Sequence, residues 1–320
     1  MNKILVIILA FLIASPSLIA EDVVLVAAKL KIDAYSTKDM TYLGQFIDLS
    51  KIMKPTCMTE SQDGKLIVAG VGLATTTTDN IVIKIDKDGS FDSIDYLYQQ
   101  EKNGPISLPE AIIELDDGTI VLLASKGKVF KFSSNGGEPE DFLKPGEEQS
   151  SRRITYIFKH ENTVVLASSS PEHLLIQYDK SGEFIENLTT GNEDIKTPIH
   201  VSKAKGGYIM VALALIEVNG QKKQVSTLLK LDETLVFTKK LISDNDIEKK
   251  SLLKPTLALE DGETGKFLIL DEGRNRTGTA SYDDNLELFS KDGQYEKSLG
   301  TYKDTSVSNI IIYKNSTKKW

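Results

Sequence analysis

Short apolar runs recur along the chain, and each begins directly after a glycine or an asparagine. The five clearest runs are KLIVAG from 65, TIVLLAS from 119, TVVLASS from 163, YIMVALA from 208 and KFLILDE from 266. Brief aliphatic runs bounded by turn residues are typical of strands, and few segments have a helical period. The spacing of the runs indicates an internal repeat of about 50 residues.

Each run is followed by an alternating strand, a tight corner and a shorter strand. Four of the five runs also have a proline nine or ten residues upstream of their turn: Pro55, Pro109, Pro198 and Pro255. Proline fits the first residue of a strand, so it marks a further strand before each run. The repeat is therefore a unit of four antiparallel strands, which we label a to d. Its length of about 50 residues is that of one propeller blade.

The two ends of the chain together supply one more unit. Residues 22–50 read as strands b, c and d without a strand a, and the last residues, SVSNIIIYKNSTKKW, read as a strand a with no blade to follow. Pairing the two ends removes an open sheet edge. The sequence thus predicts an all-β fold, a single six-bladed β-propeller domain over residues 21–320, closed by its N-terminal and C-terminal strands.

The sixth unit carries the sharpest likeness to a known family. Residues 254–300 have the order proline, DG turn, apolar strand ending in Asp271-Glu272, Arg274, alternating strand and KDG corner. In this order the chain resembles the six-bladed propellers of the NHL and TolB-like family. The resemblance implies the ring fold and leaves the function open, because propellers serve as binding platforms, lyases, lactonases and scaffolds.

The corner Asp86-Lys87-Asp88-Gly89 has the acidic character of a metal-binding loop. The equivalent corners of other units replace these acids, reading SNGG, KSG and ETL. A hairpin turn explains all of them, and in SNGG and KSG a glycine supplies the positive φ that such turns need. We therefore expect a hairpin at this corner.

Composition narrows the function classes. The chain has 320 residues, with 38 Lys and Arg against 46 Asp and Glu, for a net charge of −8. An acidic surface repels phosphate backbones, so we expect no nucleic-acid partner. The single cysteine, Cys57, rules out an internal disulfide, and we expect it to be a small buried apolar residue.

The N-terminus, MNKILVIILAFLIASPSLIAED, has the order of a secretory signal: a basic residue at Lys3, a short apolar run and a zone of small residues. We predict a signal peptide over residues 1–20, with cleavage after Ala20 or Ser17, and a secreted or periplasmic protein. The apolar run is too short to span a bilayer, so we expect no membrane span once the signal is removed.

Loop lengths divide the ring into two faces. The a–b and c–d turns are short and lie together on what we call the short-turn face. The b–c and d–a connections form the opposite, long-loop face; they are unequal and polar, as in residues 71–80, 216–224 and 271–285. Long, variable loops on a rigid scaffold are typical of recognition surfaces. We expect this face to bind a protein, peptide or glycan, and we expect no cofactor.

Two groups of residues are candidates for a ligand site on that face. Glu110, His200 and Asn309 stand at the start of strands a and are expected at the axial mouth. In the fourth blade, whose strand a has no proline, the repeat places Ile154 and Thr155 at the first two positions. Arg274, Arg276, Asp283 and Asp284 make the blade-six loop the most charged, and they could clamp a carboxylate or a partner protein, or pair with one another in a solvated loop.

An alternative function is a hydrolase or lactonase that holds a divalent cation such as Ca²⁺ near Glu110 and Asn309. A zinc lyase would need three histidines at the axis. His160, His173 and His200 fall on a short turn, a b–c loop and an inner strand, so the sequence argues against that enzyme.

Overall fold

The computed structural model describes residues 21–73, 80–91, 96–100, 104–143, 154–169, 174–188, 190–218, 221–241, 255–274, 282–302 and 307–320. These residues form six antiparallel sheets of four strands each, so the predicted all-β six-bladed propeller is confirmed. No helix within these ranges is long and apolar enough to cross a membrane.

The strands are numbered in chain order, and each blade is given from the inner strand to the outer strand. Blade 1 contains β24 (Val307–Ser316), β1 (Glu21–Ala28), β2 (Lys31–Ser36) and β3 (Tyr42–Asp48). Blade 2 contains β4 (Met53–Glu60), β5 (Leu66–Gly72), β6 (Asn80–Ile85) and β7 (Tyr96–Gln99). Blade 3 contains β8 (Pro109–Glu114), β9 (Thr119–Ala124), β10 (Lys128–Ser133) and β11 (Glu140–Asp141).

The remaining three blades follow the same order. Blade 4 contains β12 (Ile154–His160), β13 (Thr163–Ser168), β14 (Leu175–Tyr178) and β15 (Phe184–Leu188). Blade 5 contains β16 (Ile195–Ala204), β17 (Gly207–Val218), β18 (Gln221–Leu231) and β19 (Phe237–Lys240). Blade 6 contains β20 (Pro255–Glu260), β21 (Phe267–Arg274), β22 (Tyr282–Phe289) and β23 (Tyr295–Tyr302).

The chain ends close the ring as the sequence predicts. β24 pairs antiparallel with β1, with Leu25 opposite Ile311 and Val23 opposite Tyr313. Tyr313 is fully buried, and its hydroxyl donates a 2.7 Å hydrogen bond to the carbonyl of Gly64 in blade 2. The closing strand thus joins blade 1 to its neighbour as well as to β1.

The hydrophobic core lies between neighbouring blades. In β13, Val164 and Leu166 pack towards blade 3, whereas Val165 and Ala167 pack towards blade 5. Both faces of a blade are therefore covered, so strands b are uninterrupted apolar runs rather than alternating ones. This double burial is the physical reason that the repeat is visible in the sequence.

The acidic corner of blade 2 is a hairpin, as expected. Asp86 N donates to Ser90 O at 2.9 Å, and Gly89 N donates to Asp86 O at 2.8 Å. Gly89 has φ of 81°, and a Cβ there would lie 2.4 Å from the carbonyl oxygen of Phe46. The turn therefore requires glycine for its backbone conformation and for its packing against blade 1.

A β-bulge recurs near the start of all six inner strands. The bulged residues are Thr56, Glu110, Thr155, Ile199, Thr256 and Ser308. Hydroxyls at this position connect blades: Thr155 donates to Pro198 O at 2.6 Å and Ser308 donates to Pro55 O at 2.8 Å. Because the bulge recurs at the same place on each inner strand, the residue that follows it has an equivalent position in all six blades.

The register predicted for blade 4 is wrong by one residue. The sequence alignment placed Ile154 and Thr155 at the first two positions of this inner strand, and the structure places Thr155 in the bulge with Tyr156 after it. Blade 4 lacks the proline that marks the start of the strand in four other blades. Without that marker the alternation alone leaves the position of the bulge undetermined.

Candidate functional site

The residues that follow the six bulges form one layer near the long-loop end of the ring, which we call the post-bulge layer. Its members are Cys57, Ala111, Tyr156, His200, Leu257 and Asn309. Two of the predicted site residues, His200 and Asn309, therefore lie at the same level of the ring. They belong to blades 5 and 1, which are separated by blade 6.

His200 and Asn309 are buried polar residues. His200 is 5% exposed and Asn309 is 7% exposed. Within the described part of the chain, His200 Nδ1 and Asn309 Oδ1 have no hydrogen-bond partner. Burial lowers the pKa of His200 to about 3, so its imidazole is neutral at physiological pH. Leaving a buried polar atom unsatisfied costs about 1–3 kcal/mol, so these two atoms are sites where a bound group would be stabilised.

Tyr156 is the neighbour of His200 that sequence reasoning missed. The two ring centroids lie 4.6 Å apart. Burial, with a smaller contribution from the Cys57 thiol, raises the pKa of Tyr156. One signal could have located it. The other five blades share the position of the bulge, and the same position in blade 4 makes Tyr156 the residue that follows it.

Cys57 is fully buried and free, which confirms its predicted role as a small apolar residue. Burial raises the pKa of its thiol to about 12. The thiol is therefore protonated at neutral pH, the form that is the weaker nucleophile.

Glu110 occupies the bulge of β8 and is exposed, in contrast to His200 and Asn309. Four of the other five bulges carry threonine or serine, so the acid is peculiar to blade 3. It lies at the start of β8, at the long-loop end of the ring.

The described residues do not fit a calcium site. Ca²⁺ takes six to eight oxygen ligands, of which Glu110 and Asn309 would supply two from different blades. No group of three or more His, Cys, Asp or Glu side chains in the described ranges is placed to hold a metal ion. His160 lies at the opposite end of its strand, where Nδ1 is 2.8 Å from the Tyr208 hydroxyl, and His173 lies outside the described residues.

The charged loop of blade 6 is only partly described. Arg274 ends β21 and pairs in backbone register with Tyr282, and Asp283 pairs with Gly273, so these positions extend the b and c strands. Arg276 lies outside the described residues. Asp284 differs from the expectation of a surface clamp, because it is 3% exposed and its Oδ2 accepts a 2.6 Å hydrogen bond from Val307 N. This carboxylate anchors the first residue of the closing strand.

The connection from blade 2 to blade 3 is held by a buried polar network that the sequence did not reveal. The Gln100 side chain donates to Ile106 O at 2.7 Å and accepts from Ile106 N at 2.8 Å. Asn80 Nδ2 donates to the same carbonyl at 2.8 Å. Gln100 and Asn80 are both at least nine-tenths buried. The side chains of Gln100 and Asn80 thus supply the hydrogen-bond partners of Ile106 N and Ile106 O that a neighbouring strand would otherwise supply, and they hold the backbone in place at Ile106.

Leu108 is displayed at the end of this loop in a strained conformation. Its φ is 34°, an uncommon value for a residue with a branched side chain, and it is 48% exposed. Ser125 N, 3.0 Å from both carbonyls, donates to Ser107 O and Leu108 O. Leu73, at the start of the blade-two b–c connection, is also exposed. The long-loop face therefore presents exposed apolar side chains in blades 2 and 3, and one of them, Leu108, lies two residues before Glu110.

Gln100→Leu should loosen this loop. The substitution leaves Ile106 N without its side-chain acceptor, and we expect a loss of about 1–2 kcal/mol in the free energy of unfolding. Amide hydrogen exchange at Ile106 should become faster, while exchange in β5 is unchanged. Equal protection of Ile106 in both proteins would show that Gln100 does not hold the loop.

Neither a protein-family model nor a curated protein matches the chain. Solved structures are similar in fold. A protein of unknown function from Bacteroides caccae aligns over 91% of this chain and 98% of its own, with a TM-score of 0.55 and 14% identity. A candidate 6-phosphogluconolactonase from Bacteroides fragilis aligns over the same shares, with a TM-score of 0.52 and 12% identity.

The WD40 β-propeller domain of Doa1 aligns over 94% of this chain and 88% of its own, with a TM-score of 0.50 and 12% identity. At these identities the likeness shows a shared fold alone. The three similar proteins differ in what their names state, which is expected of a fold that supports many functions.

Proposed function

We propose that this chain is an exported β-propeller binding protein that recognises a protein, peptide or glycan through its long-loop face. The observation that carries the proposal is Leu108, an exposed apolar side chain in a strained backbone conformation, whose carbonyl accepts a hydrogen bond from Ser125 N. Strain of this kind costs about 1–3 kcal/mol and is most common at functional sites.

The chemistry of the face favours a protein or peptide over a glycan. Leu108 and Leu73 supply apolar contact area, and Glu110, two residues after Leu108, supplies an exposed negative charge. Apolar anchors with a charged neighbour are typical of protein interfaces. A partner with an apolar residue beside a basic one would complement this surface.

The post-bulge layer supplies a second point of contact, in the inner strands of blades 5 and 1. His200 Nδ1 and Asn309 Oδ1 are buried acceptors that a donor group reaching the axis would satisfy. The neutral state of His200 allows Nδ1 to accept when the other ring nitrogen carries the proton.

We further infer that the protein is secreted or periplasmic after removal of residues 1–20, that it needs no cofactor, and that it is a divergent member of the NHL and TolB-like propellers. The order of residues 254–300 supports the family, and the N-terminal charge and apolar pattern supports export. Cation-dependent hydrolysis, the alternative, lacks an adequate set of described oxygen ligands.

Photo-cross-linking tests the proposal directly. A benzophenone amino acid at position 108 should cross-link one partner species in the native host. The same residue at position 185 should not, because Ile185 is equally exposed but lies on outer strand β15, next to a short turn. Cross-linking of the same species from both positions would contradict recognition by the long-loop face, and its absence from both would contradict a macromolecular partner.

A further inference from the structure

The short-turn face has a cavity at the axis. It has a volume of about 640 Å³ and is lined by the ends of four inner strands, β4, β16, β20 and β24. Small-molecule sites have volumes of about 300–1,000 Å³, so one small ligand would fit. The cavity is at the opposite end of the ring from the post-bulge layer and from Leu108. It is therefore independent of the function proposed above.

One part of the cavity wall is apolar. The side chains that form it are half-buried and come from three strands: Ala204, Leu259, Ile311 and Ile312. Apolar area of this kind, left in contact with solvent inside a concavity, favours a ligand with a hydrocarbon body.

The charged part of the wall has an excess of negative groups. Its carboxylates are Asp22, Glu60, Glu260, Asp261 and Glu263, and its ammonium groups are Lys203, Lys205 and Lys314. Lys203 is already engaged outside the cavity, because its Nζ pairs with Glu233 and lies 4.4 Å from the Tyr208 ring centroid. A concave surface with this imbalance attracts cations.

Among the carboxylates of the cavity wall, Glu60 is the one that a bound cation would stabilise most. It is half-buried, and burial raises its pKa above the ordinary value although the charges of Lys314 and Lys87 oppose the shift. Its Oε2 accepts a long hydrogen bond, 3.4 Å, from Lys314 N, whereas Glu260 accepts one of 2.9 Å from Lys205 N. A positive charge beside Glu60 would offset the cost of burying its carboxylate.

We propose that this cavity binds a small organic amine, with its ammonium group at Glu60 and its hydrocarbon chain against Leu259, Ile311 and Ile312. The site discriminates by charge, since an anion of the same shape meets the carboxylate excess. It also discriminates against a neutral analogue, which gains the apolar contact alone.

Methyl NMR on the mature protein tests the proposal with three probes of equal chain length: hexylamine, hexanol and hexanoate. Hexylamine should shift the δ1 methyl signals of Ile311 and Ile312 saturably and leave Ile106, on the long-loop face, unchanged. Hexanol should bind at least about tenfold more weakly, which is the effect of one lost charged contact of about 1.4 kcal/mol. Equal shifts with hexylamine and hexanoate, or no shifts with hexylamine, would overturn the proposal.

Glu60→Gln should weaken hexylamine binding at least about tenfold by the same reasoning. Asp292→Asn is the matched control, because it removes an exposed carboxylate from the same face at the blade-six corner, and it should change the affinity less than about twofold. Unchanged affinity in Glu60→Gln would contradict the assignment. If that variant does not fold, the comparison of the three probes on the parent protein decides.

Leu108→Asn should leave hexylamine binding intact, which separates this site from the proposed partner surface.

Discussion

Tyr313→Ala should lower the free energy of unfolding by about 4 kcal/mol, the largest effect that we expect from a single substitution. The residue is fully buried in the cluster between blades 1 and 2. Its ring packs edge-on against Phe46, with 5.7 Å between the two ring centroids. Truncating a buried aromatic residue to alanine typically costs 3–5 kcal/mol. The loss falls on the strand that closes the ring, so unfolding should remain a single cooperative transition in guanidinium chloride.

Tyr313→Phe is the control for this prediction, since it keeps the ring and removes the hydrogen bond to Gly64 O. We expect a loss of about 1 kcal/mol for that variant. If Tyr313→Ala cost less than Tyr313→Phe, or if its unfolding split into two transitions, the closing strand would not hold the ring together.

The variant His200→Leu should lose much less unfolding free energy than the parent protein when the pH is lowered into the acidic range. The pKa of His200 falls from 6.5 to about 3 on folding, because the charged imidazole is excluded from the buried post-bulge layer. Below pH 6.5 the unfolded chain takes up a proton that the folded chain does not. Stability is therefore lost as the pH falls from about 6.5 towards 3, by about 1.4 kcal/mol per unit, or about 3 kcal/mol at pH 4.5.

The difference in unfolding free energy between His200→Leu and the parent isolates this effect, since all other titrating groups are shared. Between pH 7 and pH 4.5, the unfolding free energy of the variant should rise by about 3 kcal/mol relative to that of the parent. His200→Asn, which is polar but does not titrate in this range, should show the same pH dependence. A difference that stays flat with pH would mean that His200 accepts a proton in the folded state.

Sequence pattern predicts the ring because its physical causes are local. The burial of both faces of a blade makes strands b apolar, as in Val164 to Ala167, and positive φ favours glycine at corners such as Gly89. The two chain ends could be joined because neither forms a complete blade alone. These features depend on residue type and spacing, which the sequence shows directly.

The candidate site depends on contacts that no local pattern encodes. Gln100 is an ordinary polar residue until the fold places its amide against Ile106. The repeat pattern predicts Thr155 at the position that Tyr156 occupies, because blade 4 lacks the proline that marks the start of the inner strand. The cavity at Glu60 brings together β4, β16, β20 and β24, which are distant in the chain, so its charge excess appears only in three dimensions.

The most direct test of the long-loop face as a recognition surface is the affinity of the partner cross-linked at position 108 for three purified proteins. These are the parent, Leu108→Asn and Ile185→Asn. Asparagine tolerates positive φ better than leucine does, so Leu108→Asn should fold with undiminished stability. We predict binding at least about tenfold weaker for Leu108→Asn and within about twofold of the parent for Ile185→Asn. Equal affinity of the partner for all three proteins would contradict the proposed function.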